Sequence, residues 1–79
     1  MPTVMRIGPY RFHFYCRENN EPPHIHIARD EMEAKFWLEP VSLASNHGFR
    51  TVELRDIQRL VDEHCQTLID AYIRFHGQQ

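Results

Sequence analysis

The chain has 79 residues and a mass of 9.5 kDa, the size of one small domain with no room for a second hydrophobic core. Apolar residues make up 42% and charged residues 25%, an ordinary globular composition that excludes a disordered chain. The 9 basic and 11 acidic residues give a net charge of −2, so a nucleic-acid-binding role would require a local basic patch. The 6 histidines are the one unusual number.

The N-terminal segment and the cysteines predict a cytoplasmic protein. The first residues, MPTVMRIGPYRF, include Arg6 and lack the apolar run of a signal peptide, and no stretch approaches the roughly 20 residues of a membrane span. Cys16 and Cys65 could pair, but without a secretion signal we expect reduced thiols. No membrane contact is predicted.

The first half of the chain alternates apolar and polar residues, which is typical of β-strands. Four segments show this pattern: Thr3–Ile7, Tyr10–Cys16, His24–Arg29 and Glu33–Leu38. Val41–Leu43 is either a brief further strand or the first turn of a helix, and Ser45–Gly48 is predicted to be a loop. We therefore expect a small antiparallel sheet of three to four strands within residues 3–43.

From Thr51 the period becomes helical, and an apolar stripe recurs every three or four residues. Its members are Leu54, Ile57, Val61, His64, Leu68, Ala71 and Phe75. The pattern predicts one long helix over residues 51–76, a rod of about 39 Å at roughly 1.5 Å per residue. Such a rod would extend beyond the sheet, and its overhang is a candidate dimer contact. The expected fold is α+β: one domain over residues 1–79, with the helix packed on one face of the sheet.

One helix covers one face of a sheet, so the other face is expected to be open to solvent or to a partner. The alternation places eight chemically active residues on it: Arg11, His13, Tyr15, Arg17, His24, His26, Lys35 and Trp37. Histidine exchanges protons near neutral pH, arginine binds phosphate through two donors, and exposed aromatic rings stack on bases.

These residue types are the parts of a metal-independent ribonuclease, which needs a base, an acid and a cation. The catalytic candidates are His24, His26, His13 and Arg11. The substrate-binding candidates are Tyr15, Arg17, Lys35, Trp37 and His47. No cofactor is expected in this interpretation.

Two alternatives remain open. His24 and His26 are two residues apart on one strand, about 6.6 Å at the backbone, so with Glu31 they could bind a divalent metal. The same face could instead be buried in a dimeric binding or assembly module without catalysis. Burial in so small a domain roughly balances an ordering cost of about 1.5 kcal/mol per residue, so we expect a homodimer or a complex with a partner.

Four motifs in order resemble a bacterial family known as domain of unknown function 4160. They are PTVMRIGPYRF, EPPHIHI, AKFWLEP, and NHGF followed by the helical ELRDIQRLV. The resemblance covers nearly the whole chain and implies a prokaryotic cytoplasmic protein, often encoded beside a second small protein in an arrangement like a toxin–antitoxin pair. The sequence and the resemblance together predict a toxin-like component that acts on RNA, with a small antitoxin-like protein as its cognate partner.

Overall fold

The computed structural model describes residues 3–15 and 20–76, which form one antiparallel sheet followed by two helices. The strands pair in chain order, so each lies beside the strand that precedes it. The elements are β1 (Thr3–Ile7), β2 (Tyr10–His13), β3 (His24–Arg29), β4 (Met32–Leu38), β5 (Val41–His47), α1 (Thr51–Glu63) and α2 (Cys65–His76). The predicted α+β class is confirmed.

The sheet is larger than the three to four strands that the alternation predicts. β5 extends to His47 and includes a segment whose polarity predicted a loop. These polar residues are compatible with a strand because β5 lies at the edge of the sheet and exposes most of its side chains. β2 ends at His13, so the predicted strand Tyr10–Cys16 is too long: Phe14 and Tyr15 follow β2 without strand pairing, and Cys16 lies outside the described residues.

The predicted single helix is interrupted at His64, whose φ of −109° and ψ of 16° are not helical. Backbone hydrogen bonds continue across the break, from the amide of His64 to Leu60 and from that of Leu68 to His64. α1 packs on β4 and β5, while α2 packs on β3 and β4. The predicted single helix is therefore two consecutive helices that pack on different pairs of strands. Within residues 3–15 and 20–76, neither helix is long and apolar enough to cross a membrane.

The helices cover the apolar side of the sheet. Ile25 and Ile27 are fully buried there, on the side opposite His24 and His26, as the alternation predicts. Burial of each large side chain stabilises the fold by about 1.5–3 kcal/mol. The buried apolar residues are Phe12, Phe14, Ile25, Ile27, Ala34, Phe36, Leu38, Phe49, Ile57, Val61, Leu68 and Tyr72.

An ion pair joins the sheet to the first turn of α1. The Nε and Nη2 atoms of Arg29 donate to the two carboxylate oxygens of Glu53 at 2.7 and 2.9 Å, and the Tyr10 hydroxyl donates to Oε2 at 2.7 Å. The Arg29 guanidinium and then the Tyr10 hydroxyl lower the pKa of Glu53. Burial, and then the hydrogen bond to Glu53, raise the pKa of Tyr10 to about 12.

The NHGF motif positions the start of α1. The side-chain amide of Asn46 donates to the Phe49 carbonyl at 2.9 Å, and its oxygen accepts from the Phe49 amide at 3.1 Å. Gly48 has a φ of +103°, and a Cβ there would lie 2.7 Å from Cγ of Met32. Only glycine fits this turn without strain, so these residues have a structural role.

Candidate proton-transfer site

The side of the sheet opposite the helices is called the histidine face and consists of Arg11, His13, Tyr15, His24, His26, Glu33, Lys35 and Trp37. Residues directly opposite one another on antiparallel strands share a side, so the strand register defines it. The register gives three rows: Arg11–Ala28–Glu33–His47, His13–His26–Lys35–Ser45 and His24–Trp37–Ser42. Tyr15 joins through ring contacts with His13 and His26. Arg17 lies outside the described residues.

The histidines of this face are buried, which contradicts the open surface that the sequence predicts. His13 and His24 are 0% exposed and His26 is 6% exposed. The rings cover one another: His13 stacks on His26 with 5.6 Å between ring centroids, and Tyr15 meets them edge-on at 5.0 and 4.4 Å. Rings on neighbouring strands lie close enough to exclude solvent from one another. Alternation predicts which side of the sheet a residue lies on but not how exposed it is there.

His24 is held in place by packing. Its Nδ1 atom lies 2.9 Å from the Pro22 carbonyl oxygen, which can only accept, so this nitrogen carries the proton. The ring meets those of Trp37 and Tyr72 at 5.9 and 5.7 Å, and the Tyr72 hydroxyl donates to the carbonyl of Glu21 at 3.0 Å. The EPPHIHI segment is therefore held between β4 and α2. His24→Ala would leave a cavity, so it should lower the free energy of unfolding, whereas the same change at an exposed position would have little effect.

Glu33 is the centre of the polar contacts on this face, although the sequence did not single it out. The Tyr15 hydroxyl lies 2.9 Å from both carboxylate oxygens, and Nδ1 of His26 lies 3.2 Å from Oε2. Nε2 of His13 lies 3.9 Å from Oε1. Compared by side chain alone, Glu33 is 32% exposed, His26 is 8% exposed and His13 is 0% exposed. Glu33 therefore links the buried rings to solvent. We call His13, Tyr15, His26 and Glu33 the Glu33 cluster.

A sequence signal for Glu33 did exist. A two-residue turn at Asp30 and Glu31 pairs Arg29 with Met32, and that register places Glu33 opposite Ala28. A residue opposite Ala28 is diagonal to His26 on the same side of the sheet, within reach of a long side chain.

His13 is neutral at pH 7 in this environment. Burial is the largest cause of the shift and Arg11 the next, and together with the smaller effect of His26 they lower the pKa to about 4, while Glu33 opposes them. Neither ring nitrogen of His13 has a hydrogen-bond partner among the described residues. Leaving a buried polar group unpaired costs about 1–3 kcal/mol, and such groups often mark functional sites.

The two cations beside the cluster are each close to a polar group. Nζ of Lys35 contacts the Glu21 carboxylate and lies 4.8 Å from the Trp37 ring centroid. Arg11 donates to the Thr3 hydroxyl at 3.3 Å. Lys35 is paired with Glu21, and Glu33 adds a second carboxylate to the same side of the sheet as Arg11. These four side chains have no net positive charge, so they do not form the basic patch that RNA binding by charge alone would require.

The remaining candidates are His47, which borders the Glu33 cluster, and Glu31, which does not. His47 is exposed at the end of β5, directly opposite Glu33 in the register. Glu31 is exposed in the turn after β3, whereas His24 begins that strand, so the alternative ligand set of His24, His26 and Glu31 is not brought together. In the part of the chain that the structure describes, no group of three or more His, Cys, Asp or Glu residues is arranged to hold a metal ion.

The fold and the site together define a class of protein: a small α+β domain with two helices on one side of a five-stranded antiparallel sheet and a ring cluster around a half-exposed carboxylate on the other. The sequence matches the family described as Domain of unknown function (DUF4160) over residues 10–72, and the chain belongs to that family. The match confirms the resemblance and spans the whole Glu33 cluster. No curated protein and no solved structure matches the chain.

Proposed function

We propose that this domain is the toxin-like component of a bacterial two-protein pair and that it cleaves RNA in the cytoplasm at the Glu33 cluster. The observation that carries the chemistry is the half-exposed Glu33 carboxylate, which accepts from Tyr15 and lies 3.2 Å from Nδ1 of His26. A carboxylate and an imidazole this close can exchange a proton, which is the requirement for general acid–base catalysis. The two-protein arrangement is proposed from the family resemblance.

Cleavage by this pair needs no metal or other cofactor. The Glu33 carboxylate takes the proton of a ribose 2′-hydroxyl, and the 2′-oxygen attacks the adjacent phosphorus. The bond from phosphorus to the 5′-oxygen breaks, and the leaving oxygen takes a proton from the imidazolium of His26. The products are a 2′,3′-cyclic phosphate and a 5′-hydroxyl, and proton transfer from Glu33 to His26 restores the starting state.

Neighbouring residues supply binding and charge stabilisation in this proposal. Glu33, Lys35 and Trp37 follow one another along one side of β4, so a single RNA strand on β4 would meet a carboxylate, a cation and an aromatic ring in turn. Arg11 and Lys35 are the cations that would stabilise charge on the phosphorane. Because acidic residues balance both cations, we expect affinity for RNA to depend only weakly on salt.

The test is cleavage of an end-labelled single-stranded RNA by purified wild-type protein and by the Glu33→Gln variant. Glutamine keeps the shape and can still accept from Tyr15 but cannot take a proton, so the rate should fall by about 10²–10⁴-fold. Glu31→Gln, an exposed carboxylate in the same hairpin, is the matched control and should cleave normally. Cleavage should persist in a chelator and yield the cyclic phosphate. Equal rates for Glu33→Gln and wild type would contradict the proposal.

A non-catalytic binding or assembly module is the second candidate, and the complete burial of His13 and His24 favours it. In that case the rings stabilise the sheet, and the partner binds elsewhere on the surface. Wild-type protein would then cleave no RNA, and Tyr15→Phe would lower the thermal midpoint as the loss of a partly buried hydrogen bond does. The cleavage assay and a thermal melt of the same samples distinguish the two functions.

A further inference from the structure

β5 is an edge strand that carries neither charged residues nor proline, and a register irregularity at Ala44 is the one edge-protecting feature within it. It pairs with β4 alone among the described residues, so the backbone groups on its outer side face away from the sheet. Natural edge strands are commonly protected by lysine, other charges or proline. The sequence of β5, VSLASNH, contains no Asp, Glu, Lys, Arg or Pro. The opposite edge strand, β1, carries the exposed Arg6.

We propose that β5 pairs antiparallel with β5 of a second copy of this chain, joining the two sheets across a twofold axis. An uncharged strand can approach its own copy without like-charge repulsion, whereas a charged edge repels itself. The absence of charge on β5 favours a second copy as the occupant, and such a contact is isologous and closes on itself. This inference does not depend on the proposed RNA cleavage.

The side chains of β5 are sorted in a way that suits self-pairing. Leu43 is opposite Phe36, so it lies on the helix side of the sheet, where it is 44% exposed. Ser42 and Ser45 are opposite Trp37 and Lys35, on the histidine face. In a twofold pairing, the helix sides of the two copies are continuous and so are the histidine faces, and the Leu43 side chains become covered.

The register irregularity within β5 sets the strength of the contact. It falls between the partners of Lys35 and Phe36, at Ala44, and divides the strand into two short paired segments. Two short segments form few ladder hydrogen bonds and bury less than the area of a standard stable interface. The dimer should therefore exchange with monomer at micromolar concentrations.

The experiment combines sedimentation velocity with amide hydrogen exchange across micromolar concentrations of the full chain. The sedimentation coefficient should rise with concentration, and the β5 amides should gain protection while those of β1 do not. A monomer throughout the range, or protection that grows on β1 and not on β5, overturns the proposal.

Substitutions test the same contact independently. Leu43→Lys places a charge at the paired edge and should raise the dimer dissociation constant at least about tenfold. Ile73→Lys, at a 55% exposed apolar position of α2, is the matched control and should leave it unchanged. A circular dichroism melt shows whether each variant folds, and Ser45→Lys on the polar side replaces Leu43→Lys if that variant unfolds. An unchanged dissociation constant in a folded edge variant overturns the proposal.

Discussion

Acidification should destabilise this fold through His13. Its pKa is held at about 4 in the folded chain, against about 6.5 in the unfolded chain. Between these values the unfolded state binds a proton that the folded state does not. The free energy of unfolding therefore falls as the pH decreases from about 6.5 to about 4, and above that window His13 has no effect on its pH dependence.

The magnitude follows from the width of the window. A difference of about 2.5 pKa units at about 1.4 kcal/mol per unit gives a full loss of about 3.5 kcal/mol, of which about 3 kcal/mol is lost by pH 4. This is a large part of the 5–15 kcal/mol that stabilises a typical domain. Among the described side chains, Arg11, His26 and Glu33 act on the ring electrostatically, and the Tyr15 ring contacts it edge-on. Arg11 stays charged throughout, so it opposes the imidazolium at every pH in the window.

Urea unfolding, followed by circular dichroism at several pH values from 7 to 4, measures this effect. His13→Phe keeps a buried aromatic ring but removes the titrating group, so its stability should fall by about 3 kcal/mol less than that of wild type over this range. His47→Phe, at an exposed position, is the control and should follow the wild-type profile. If His13→Phe and wild type lose the same free energy between pH 7 and pH 4, then His13 is not a buried neutral ring.

Three further predictions concern the turn before α1, the ion pair at its first turn and the core beneath it. Gly48→Ala should lower the free energy of unfolding, measured by urea denaturation, by about 1–3 kcal/mol through backbone strain. The new Cβ would lie 2.7 Å from Cγ of Met32, so the double variant Gly48→Ala/Met32→Ala should recover part of that loss in the same measurement. In a spectrophotometric pH titration of the tyrosines, the component with a pKa of about 12 should disappear in Tyr10→Phe and move to lower pH in Glu53→Gln. An unchanged titration curve in either variant would contradict the assignment of this pKa to Tyr10 beside Glu53. Ile57→Ala should lower the free energy of unfolding by about 2–5 kcal/mol in urea denaturation, because this side chain of α1 is fully buried.

The sides of the sheet were predictable from the sequence, and the extent of the elements was not. A period of two places Ile25 and Ile27 with the helices and His26 opposite them, and this needs only the geometry of a strand. A strand at Val41–Leu43 was one of two interpretations that the sequence left open, and the extension of β5 to His47 was missed because an edge strand exposes most of its residues and shows no alternation. The break at His64 was missed because apolar periodicity continues through it, and only the backbone angles report it.

The composition of the site was partly predictable, and its exposure was not. Arg11, His13 and His26 share one side of the sheet, as the alternation predicts. The burial of His13 and His26 depends on ring contacts with each other and with Tyr15, and single-residue patterns carry no information on such contacts. Glu33 required the register of the β3–β4 hairpin, which follows only once the turn between those strands is placed.

The chain order of this sheet has a consequence during protein synthesis. Because each strand pairs with the one made just before it, the sheet can assemble hairpin by hairpin as the chain leaves the ribosome. Its apolar side has no cover until α1 and α2, which follow all five strands, have also emerged. A nascent chain that stalls before α2 has α1 to cover β4 and β5 but leaves Phe12 and Ile25 of β2 and β3 exposed, so a product truncated there should aggregate rather than act as a shorter working domain.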